Sequence, residues 1–523
     1  MILGEAMDGS HPNMPETVVI PTAGTGSRMG NLVDRMHKCM LPYLGKPIIA
    51  HIIDAFPRDT RFIIPVGHYN WHVKSLIRAM YRDRSVEFVE IANYKGLGAG
   101  TAHTLLECQA GINSAFWYVA CDTYFNDVLP IGQLSKDTYF TKSVPTHRSD
   151  LYTMFRKSGN ELEISFKQAQ NEDWTAFTGL MYIADHQGFF DRLIKTTSTE
   201  FIDSLAANGE LHPLESWIDM GNRDDYLAAV RKSEPYDFTK KDEMIWMVNG
   251  KVLKWAAIWE HMKQRKIRAE KIGDAVVPEN VEFVDQMLVY DMIDGNTAYH
   301  SMSPDLLPRV LTWLKTDVWK PVPTGNFRDS CMEFYRTKSR DRILGFVNEH
   351  RPVLHAKSVN GVAVGNWSNY LSSINWEYLA TENRPAWIHG DLQFDNVIVK
   401  PNGELRAIDW RPCFGQERFA GDIYYDLAKL LGGCIIDYSK IKKNEFSVTN
   451  DGKGNYELTI PSVDIENARG TILAFTSDMG MDTKKVEQLV PLIFWNMAPL
   501  HAPPFNDLLW CLGLKLFSEL SNA

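Results

Sequence analysis

A β-branched run, Thr17-Val18-Val19-Ile20-Pro21-Thr22, stops abruptly at Ala23-Gly24-Thr25-Gly26-Ser27-Arg28. Side chains of that kind pack a buried strand and paired glycines break it, so the segment reads as strand, tight turn and then helix. The pattern recurs downstream. Pro47 to Phe56 has helical amphipathicity, Arg61 to Val66 reads as a buried strand, and Trp117 to Ala120 is an apolar strand stopping at Cys121-Asp122. Such alternation over the first ~230 residues predicts a mostly parallel, doubly wound α/β sheet. Ligands of these sheets bind beyond the carboxyl ends of the strands, where Gly24 and Asp122 fall.

At 523 residues the chain exceeds what one core supports, and two or three domains are expected. Residues 1–16 read as a flexible leader, and 17–232 as the α/β domain. The polar stretch Lys232-Ser233-Glu234-Pro235-Tyr236-Asp237 marks a boundary. Beyond it, Glu243 to Val248 and Lys251 to Ala256 flank Asn249-Gly250, a two-residue hairpin signal. Helical stretches follow over Trp255 to Glu270, Pro304 to Val318 and Asp329 to Glu349, and again from about Asp464. Asn450 to Asn455 reads as a hairpin tip. Residues 236–523 are therefore expected to form a two-lobed α+β domain, with a small lobe to about 295 and a helical lobe after it.

A formal charge of −10 excludes a broad nucleic-acid-binding face, so anionic ligands must be held by local cations, backbone N–H groups and metal ions. The seven cysteines are scattered without a C-x-x-C pair, as in reduced cytoplasmic proteins. No apolar run reaches the ~20 residues of a membrane span, and residues 1–16 lack signal-peptide character. The expectation is a cytoplasmic enzyme of small molecules, with no nucleic-acid partner and no membrane insertion. Homo-oligomerisation is left open.

Two motifs carry chemistry. In the first, Gly24 and Gly26 let backbone approach a polyphosphate, while Arg28 and Lys38 add charge. This region, Thr17 to about Val230, resembles the sugar-phosphate and phosphocholine nucleotidyltransferases. Ala23 to Arg28, including Ser27, is similar to their opening A-G-x-G-[ST]-R motif, and Lys38 to the lysine before L-P-x-x-G-K-P, here Leu41 to Pro47. Gly98 to Ala102 is similar to the loop that reads the nucleobase, with Gly100, Thr101 and Ala102 as its binding residues. The resemblance further implies Asp122 and Asp219 as Mg²⁺ ligands, Lys167 meeting the substrate phosphate and Gly179 in the acceptor pocket. The segment Trp217 to Asn222 stands for W-x-D-x-G-T. The implied reaction is attack of a phosphate monoester on the α-phosphorus of an NTP. His37 before Lys38, where sugar-phosphate enzymes usually have proline, resembles the phosphocholine cytidylyltransferase branch and favours CTP; His37 itself reads as a positioning residue.

In the second, His389-Gly390-Asp391 precedes Asn396 at the H-G-D-x-x-x-x-N spacing, and Asp409 ends the apolar Ala407-Ile408. A phosphotransferase needs a carboxylate on the attacking hydroxyl and oxygen ligands on Mg²⁺, and Asp391, Asn396 and Asp409 supply those types. The segment Tyr236 to Ala523 resembles the choline kinase and aminoglycoside phosphotransferase superfamily. That resemblance implies Lys254 on the ATP phosphates with Glu270 as its partner, Asn396 and Asp409 as Mg²⁺ ligands, and Val289 to Met292 beside adenine. Asp422 and Asp426 would brace the loop. Choline kinases commonly carry an acid after I-D-[WF]; here Arg411 stands there, which suits a polyol, sugar or acid in the substrate site.

The two resemblances together imply a bifunctional enzyme using ATP, a second NTP and Mg²⁺ in both domains to phosphorylate a small hydroxyl compound and then nucleotidylate it. Two alternatives stand beside it. One is a sugar anomeric kinase joined to a sugar-1-phosphate nucleotidyltransferase that makes an NDP-sugar, whereas the main reading implies a product that feeds cell-surface glycan, capsule or lipid assembly. The other makes one domain an inactive scaffold or sensor.

Overall fold

The computed structural model describes residues 16–159, 161–233, 243–463 and 465–522. The expected leader up to Pro15, and residues 234–237 of the expected boundary, lie outside the described residues. The chain forms two compact units, Met1–Ser233 with Trp246–Asn249, and Glu234–Ile245 with Gly250–Ala523.

The first unit is built on nine strands: β1 (Thr17–Val19), β2 (Arg61–Val66), β3 (Ser85–Glu90), β4 (Phe116–Val119), β5 (Thr138–Lys142), β6 (Thr153–Ser158), β7 (Glu161–Phe166), β8 (Thr175–Ile183) and β9 (Glu210–Pro213). They run in the order β7-β6-β8-β4-β1-β2-β3, with β5 on β8 and β9 on β5. Val18, Val19, Phe62 to Ile64 and Phe116 to Val119 are all buried, as strands covered on both faces require. Helices α1 (Ile48–Asp54), α2 (Asn70–Met80) and α3 (Thr101–Cys108) lie between the early strands in sequence.

Strands β3, β2, β1 and β4 pair in parallel. Beyond β4 the sheet changes hand: β8 is antiparallel to β4, β5 and β6, and β6 to β7. The sheet is mixed, not mostly parallel as expected. The reason is connectivity, since the short β6–β7 link can only return the chain antiparallel, whereas parallel neighbours need crossovers. A second correction concerns the Gly-rich turn. It opens a 3₁₀ segment, Ser27–Val33, broken at Gly30 (φ 57°, ψ −137°), rather than a regular α-helix.

Strands β10 (Glu243–Val248), which the division between the units crosses after Ile245, β11 (Lys251–Ala256), β12 (Glu282–Val284) and β13 (Met287–Asp291) form a sheet in the order β10-β11-β13-β12. A smaller ladder joins Asn296–Thr297 to β14 (Val397–Val399) and β15 (Leu405–Ala407). The rest is mainly helical and includes α4 (Trp259–Ile272), α5 (Lys338–Val347), α6 (Ile423–Ile435), α7 (Thr483–Met497) and α8 (Phe505–Asn522). Trp255 belongs to β11, so α4 starts later than its amphipathic pattern suggested. The expected helix over Asp329 to Glu349 is interrupted by a π-helical turn, Glu333–Thr337. Trp495 and Trp510 stack at 4.9 Å where α7 meets α8. Strands Ser447–Asn450 and Asn455–Thr459 form the anticipated hairpin. Six of the seven unpaired cysteines are buried and Cys413 is half-buried. Among the described residues no helix is long and apolar enough to cross a membrane.

Asn249 (φ 51°) and Gly250 (φ 71°) both take left-handed backbone, the type I′ pattern. Gly250→Val should cost roughly 1–3 kcal/mol, read as a lower melting temperature; an unchanged transition would contradict that turn geometry.

Candidate functional site

In the first unit, β4 delivers Asp122 to the carboxyl end of the parallel strands. Just beyond it a two-residue antiparallel ladder pairs Thr123 with Asp219 and Tyr124 with Ile218. Met220 donates its N–H to Asp122 O at 2.8 Å, and Trp217 Nε1 donates to Thr123 Oγ1 at 2.7 Å. These bonds fix two carboxylates from distant sequence positions on one wall. The backbone of Gly221 shows how close they are. A methyl group there would lie 2.6 Å from Asp122 Oδ2, 2.9 Å from Asp219 Oδ1 and 3.2 Å from Arg28 Nη2.

Lys38 Nζ is 2.5 Å from Asp122 Oδ2, and Arg28 Nη2 is 4.0 Å from it. Burial works against the lysine's charge, but the Asp122 carboxylate overrides it and raises Lys38 above its ordinary value. Burial likewise opposes ionisation of Asp122, and Lys38 with Arg28 brings it below the usual carboxylate range. Asp219 moves the other way, raised by burial and by the neighbouring Asp122. Its Oδ1 accepts the Gly221 N–H at 2.7 Å.

His37 is buried, with Nε2 3.0 Å from Gly24 O and Nδ1 accepting the Cys39 N–H at 3.2 Å. Burial and Lys38 press its pKa down to about 3, so the neutral ring is a brace between the lysine and the Gly-rich turn. Ala23 is buried and its carbonyl accepts the His68 N–H at 2.9 Å. Gly24 and Ser27 are exposed, and a Cβ on Gly24 would meet nothing within 4 Å. Gly26 takes φ 68° against the Lys38 stem.

Gly100 is needed for packing, because a Cβ would fall 2.1 Å from Thr199 O. Its neighbours are also tied to the fold: Ala102 N–H donates to Thr199 O at 3.0 Å and Thr101 Oγ1 to Glu200 Oε2 at 2.6 Å. Gly179 (φ 82°) sits in a bulge of β8, where a Cβ would meet Ala120 Cβ at 2.7 Å. Lys167 is exposed just past β7 with φ 51°, its N–H on Tyr152 O at 3.1 Å and its ammonium 5.0 Å from the Phe166 ring centre. Residues the sequence reading passed over are Gly221 and the pair Arg148–Asp225, 2.5 Å apart. The W-x-D-x-G segment contained the first; the pair had no sequence signal.

In the second unit, Lys254 on β11 forms an ion pair with Asp409, which follows β15 at φ 62°. Burial lowers the Lys254 pKa, and the carboxylate only partly restores it. Glu270, the expected partner, instead pairs with Lys266 on the exposed side of α4. Buried arginines occupy that helix's inner face: Arg265 donates to Trp410 O at 2.9 Å and Arg268 to Ile388 O at 2.6 Å. The acid facing Lys254 is Asp409.

The His389–Asn396 loop is held from below. Asp426 on α6 accepts the N–H of His389 at 2.9 Å and of Gly390 at 2.7 Å, and Trp319 Nε1 at 3.1 Å. His389 Nε2 is 2.7 Å from Ile408 O, and Asn396 Nδ2 donates to Asp391 O at 2.8 Å. Asp391 meets Lys429 Nζ at 2.8 Å. That lysine sits one turn after Asp426 on the same helix. Gly390 (φ 79°) lies under the Arg411 stem, where a Cβ would come within 2.8 Å of Arg411 Cδ. Arg411 Nε donates to Gly390 O at 2.7 Å.

Residues 18–141 match the family described as the MobA-like NTP transferase domain. Similar solved structures include a Bacillus anthracis protein described as a glucose-1-phosphate thymidylyltransferase in complex with sucrose (16% identity, TM-score 0.36, 43% of this chain and 98% of that one). A UDP-glucose pyrophosphorylase complexed with UDP-glucose (16%, 0.34, 42% and 98%) and one from Acinetobacter baumannii (16%, 0.34, 42% and 94%) are others. No curated protein matches the chain. The family match covers the Gly-rich turn, Lys38 and Asp122 and stops short of Asp219.

Among the described residues no three His, Cys, Asp or Glu side chains cluster as a metal cage. Mg²⁺ needs less than that, since it binds through one or two carboxylates and takes its remaining ligands from phosphates and water. Asp122 and Asp219, converging on Gly221, fit that donor set, as do Asn396 and Asp409, linked through the Ile408 N–H to Asn396 O bond of 3.0 Å. Gly221→Ala places a methyl between Asp122, Asp219 and Arg28. It should abolish NTP transferase activity while circular dichroism stays that of the parent; an active Gly221→Ala protein would show that these groups do not act at one point.

Proposed function

We propose that the chain catalyses two consecutive reactions. In the second unit, a hydroxyl oxygen of a small acceptor attacks the γ-phosphorus of ATP. The new O–P bond replaces the bond to the bridging oxygen, ADP leaves, and Asp391 takes the hydroxyl proton. Lys254 holds the ATP phosphates, while Asn396 and Asp409 hold Mg²⁺, which offsets the charge on the phosphates. The observation that supports this reading most is the Lys254–Asp409 ion pair beside the Asp391–Asn396 loop.

In the first unit, an oxygen of that phosphate ester attacks the α-phosphorus of an NTP and pyrophosphate leaves. Two anions must approach, so positive charge at the meeting point is the main requirement. Arg28 and Lys38 supply it on the protein side, and Asp122 with Asp219 hold the Mg²⁺. The convergence of Asp122, Asp219 and Arg28 on Gly221 supports this assignment. The resemblance of His37-Lys38 to cytidylyltransferases supports CTP as donor. The family resemblance assigns base selection to the Gly98–Ala102 loop, while His37, enclosed by the Gly24 and Cys39 backbone, braces the lysine. The product is a nucleotide-activated small molecule.

The two reactions separate by mutation. Asp391→Asn should lower phosphorylation by roughly 10²–10⁴-fold and leave nucleotidyl transfer to a supplied phosphate ester intact. Asp219→Asn should do the reverse. The readouts are ADP and pyrophosphate release, and loss of both activities in either folded variant would refute a two-site enzyme.

A further inference from the structure

Resting on the phosphotransferase reading of the second unit, we infer that its acceptor carries an anionic group of its own, a carboxylate or a phosphate, near the hydroxyl that is phosphorylated. The carrying observation is a nest of four cations around Asp391. Lys429 Nζ reaches Asp391 Oδ1 at 2.8 Å. The Arg411 guanidinium lies 5.1 Å from the Phe334 ring centre and 5.9 Å from that of Tyr425. Lys338 Nζ sits 3.3 Å from the Phe334 ring centre and 5.8 Å from that of Tyr425. Arg342, one turn on along α5, donates to Asn496 O at 3.4 Å.

Asp391 is held directly by Lys429, Arg411 Nε donates to the O of the adjacent Gly390 at 2.7 Å, and the Asp391 charge acts on Lys338 and Arg342 as well. One carboxylate among four basic side chains leaves this cluster short of negative charge in a chain whose formal charge is −10. Desolvated charges that lack counter-charges are costly, and aromatic faces only partly offset them. Burial, then Arg411 and Arg342, drive the Lys338 pKa well below its ordinary value, so the cluster repels itself. An arriving anion relieves that repulsion; a quaternary ammonium adds to it. The π-helical turn Glu333–Thr337 reinforces the assignment, since it carries Phe334 and precedes Lys338, and such turns concentrate at functional sites.

The ATP phosphates are the competing counter-charge, and the test separates them from the acceptor. ADP formation by the full chain with Mg²⁺ and ATP is measured on glycerol, D-glycerate and glycerol 3-phosphate, on glucose, glucuronate and glucose 6-phosphate, and on choline. At least one anionic compound should exceed its neutral parent in kcat/KM by roughly ten- to a hundredfold, and the acid and phosphate arms show which anion the site reads. Lys338→Met and Arg342→Gln should raise the KM for that acceptor and leave the KM for ATP unchanged. Choline or the neutral parents turned over as well as the anions, or variants that change only the KM for ATP, would overturn the inference. If no compound yields ADP, calorimetric titration of the same anions with a non-hydrolysable ATP analogue and Mg²⁺ decides. Binding lost in Lys338→Met keeps the anion site and sinks the phosphotransferase reading, whereas no binding sinks the anion site itself.

Discussion

A carboxylate removed from water needs positive charge or several N–H donors beside it, and three carboxylate–lysine pairs stand at the two candidate sites of this chain. Lys38 meets Asp122, Lys254 meets Asp409, and Lys429 meets Asp391. In each, the lysine arrives from an element distant in sequence, so the pair also fixes where loops lie. The Lys38–Asp122 pair shows the balance most clearly. Burial opposes both charges, yet mutual attraction raises the lysine and lowers the acid, so both stay ionised at neutral pH. Asp219 has only like charge and burial acting on it apart from the Gly221 N–H and more distant Arg28, and it is raised. The like charge that raises Asp219 is what a cation between the two carboxylates would relieve.

Backbone constraints place these pairs. Gly179 must lack a side chain because its bulge lets Ala120 donate to its carbonyl at 2.7 Å, two residues before Asp122. Gly390 must lack one because the Arg411 stem crosses it. Gly100 answers to Thr199, so its role in the loop is packing before it is recognition. His37 shows the same economy, a neutral ring whose two nitrogens tie Lys38's neighbour to the Gly-rich turn. Glycines and a histidine that look like binding residues in a motif are, in three dimensions, the conditions under which the charged residues can reach one another.

Much of this was legible in the sequence where the governing physics is local. The strands Arg61–Val66, Glu243–Val248 and Lys251–Ala256 fall where apolar patterning and the Asn249-Gly250 turn placed them. Asp122 and Asp219, which the family resemblance singles out, lie close together about Gly221, because motif residues at strand ends keep their spacing in one dimension. Pairings were not. The antiparallel insertion of β8 beside β4 depends on long-range register, and the 3₁₀ path after Gly26 depends on Gly30 adopting an unusual ψ. The family resemblance implies Glu270 as the partner of Lys254, whereas Arg265 and Arg268 take the inward face of α4 and leave Glu270 outside. The cation cluster was visible only as a single out-of-place Arg411, because Lys338, Arg342 and Lys429 come from two other helices.

That cluster changes how the two halves of the chain fit chemically. On the sequence alone, His37-Lys38 leaned toward choline-like esters and Arg411 leaned away, a conflict between one residue in each half. Geometry removes one side of it, since His37 is enclosed by backbone and carries no information about the acceptor. Arg411, by contrast, stands with three further cations around Asp391. An acceptor that enters with negative charge leaves with more, and its next site must supply cations to match. In the first unit Arg28, with its side chain 61% exposed, and the exposed Lys167 are available for that purpose, whereas Arg148 is held by Asp225 at 2.5 Å. On the proposed sequence of reactions, charge balance, rather than any shared fold feature, would tie the product of one reaction to the requirements of the other.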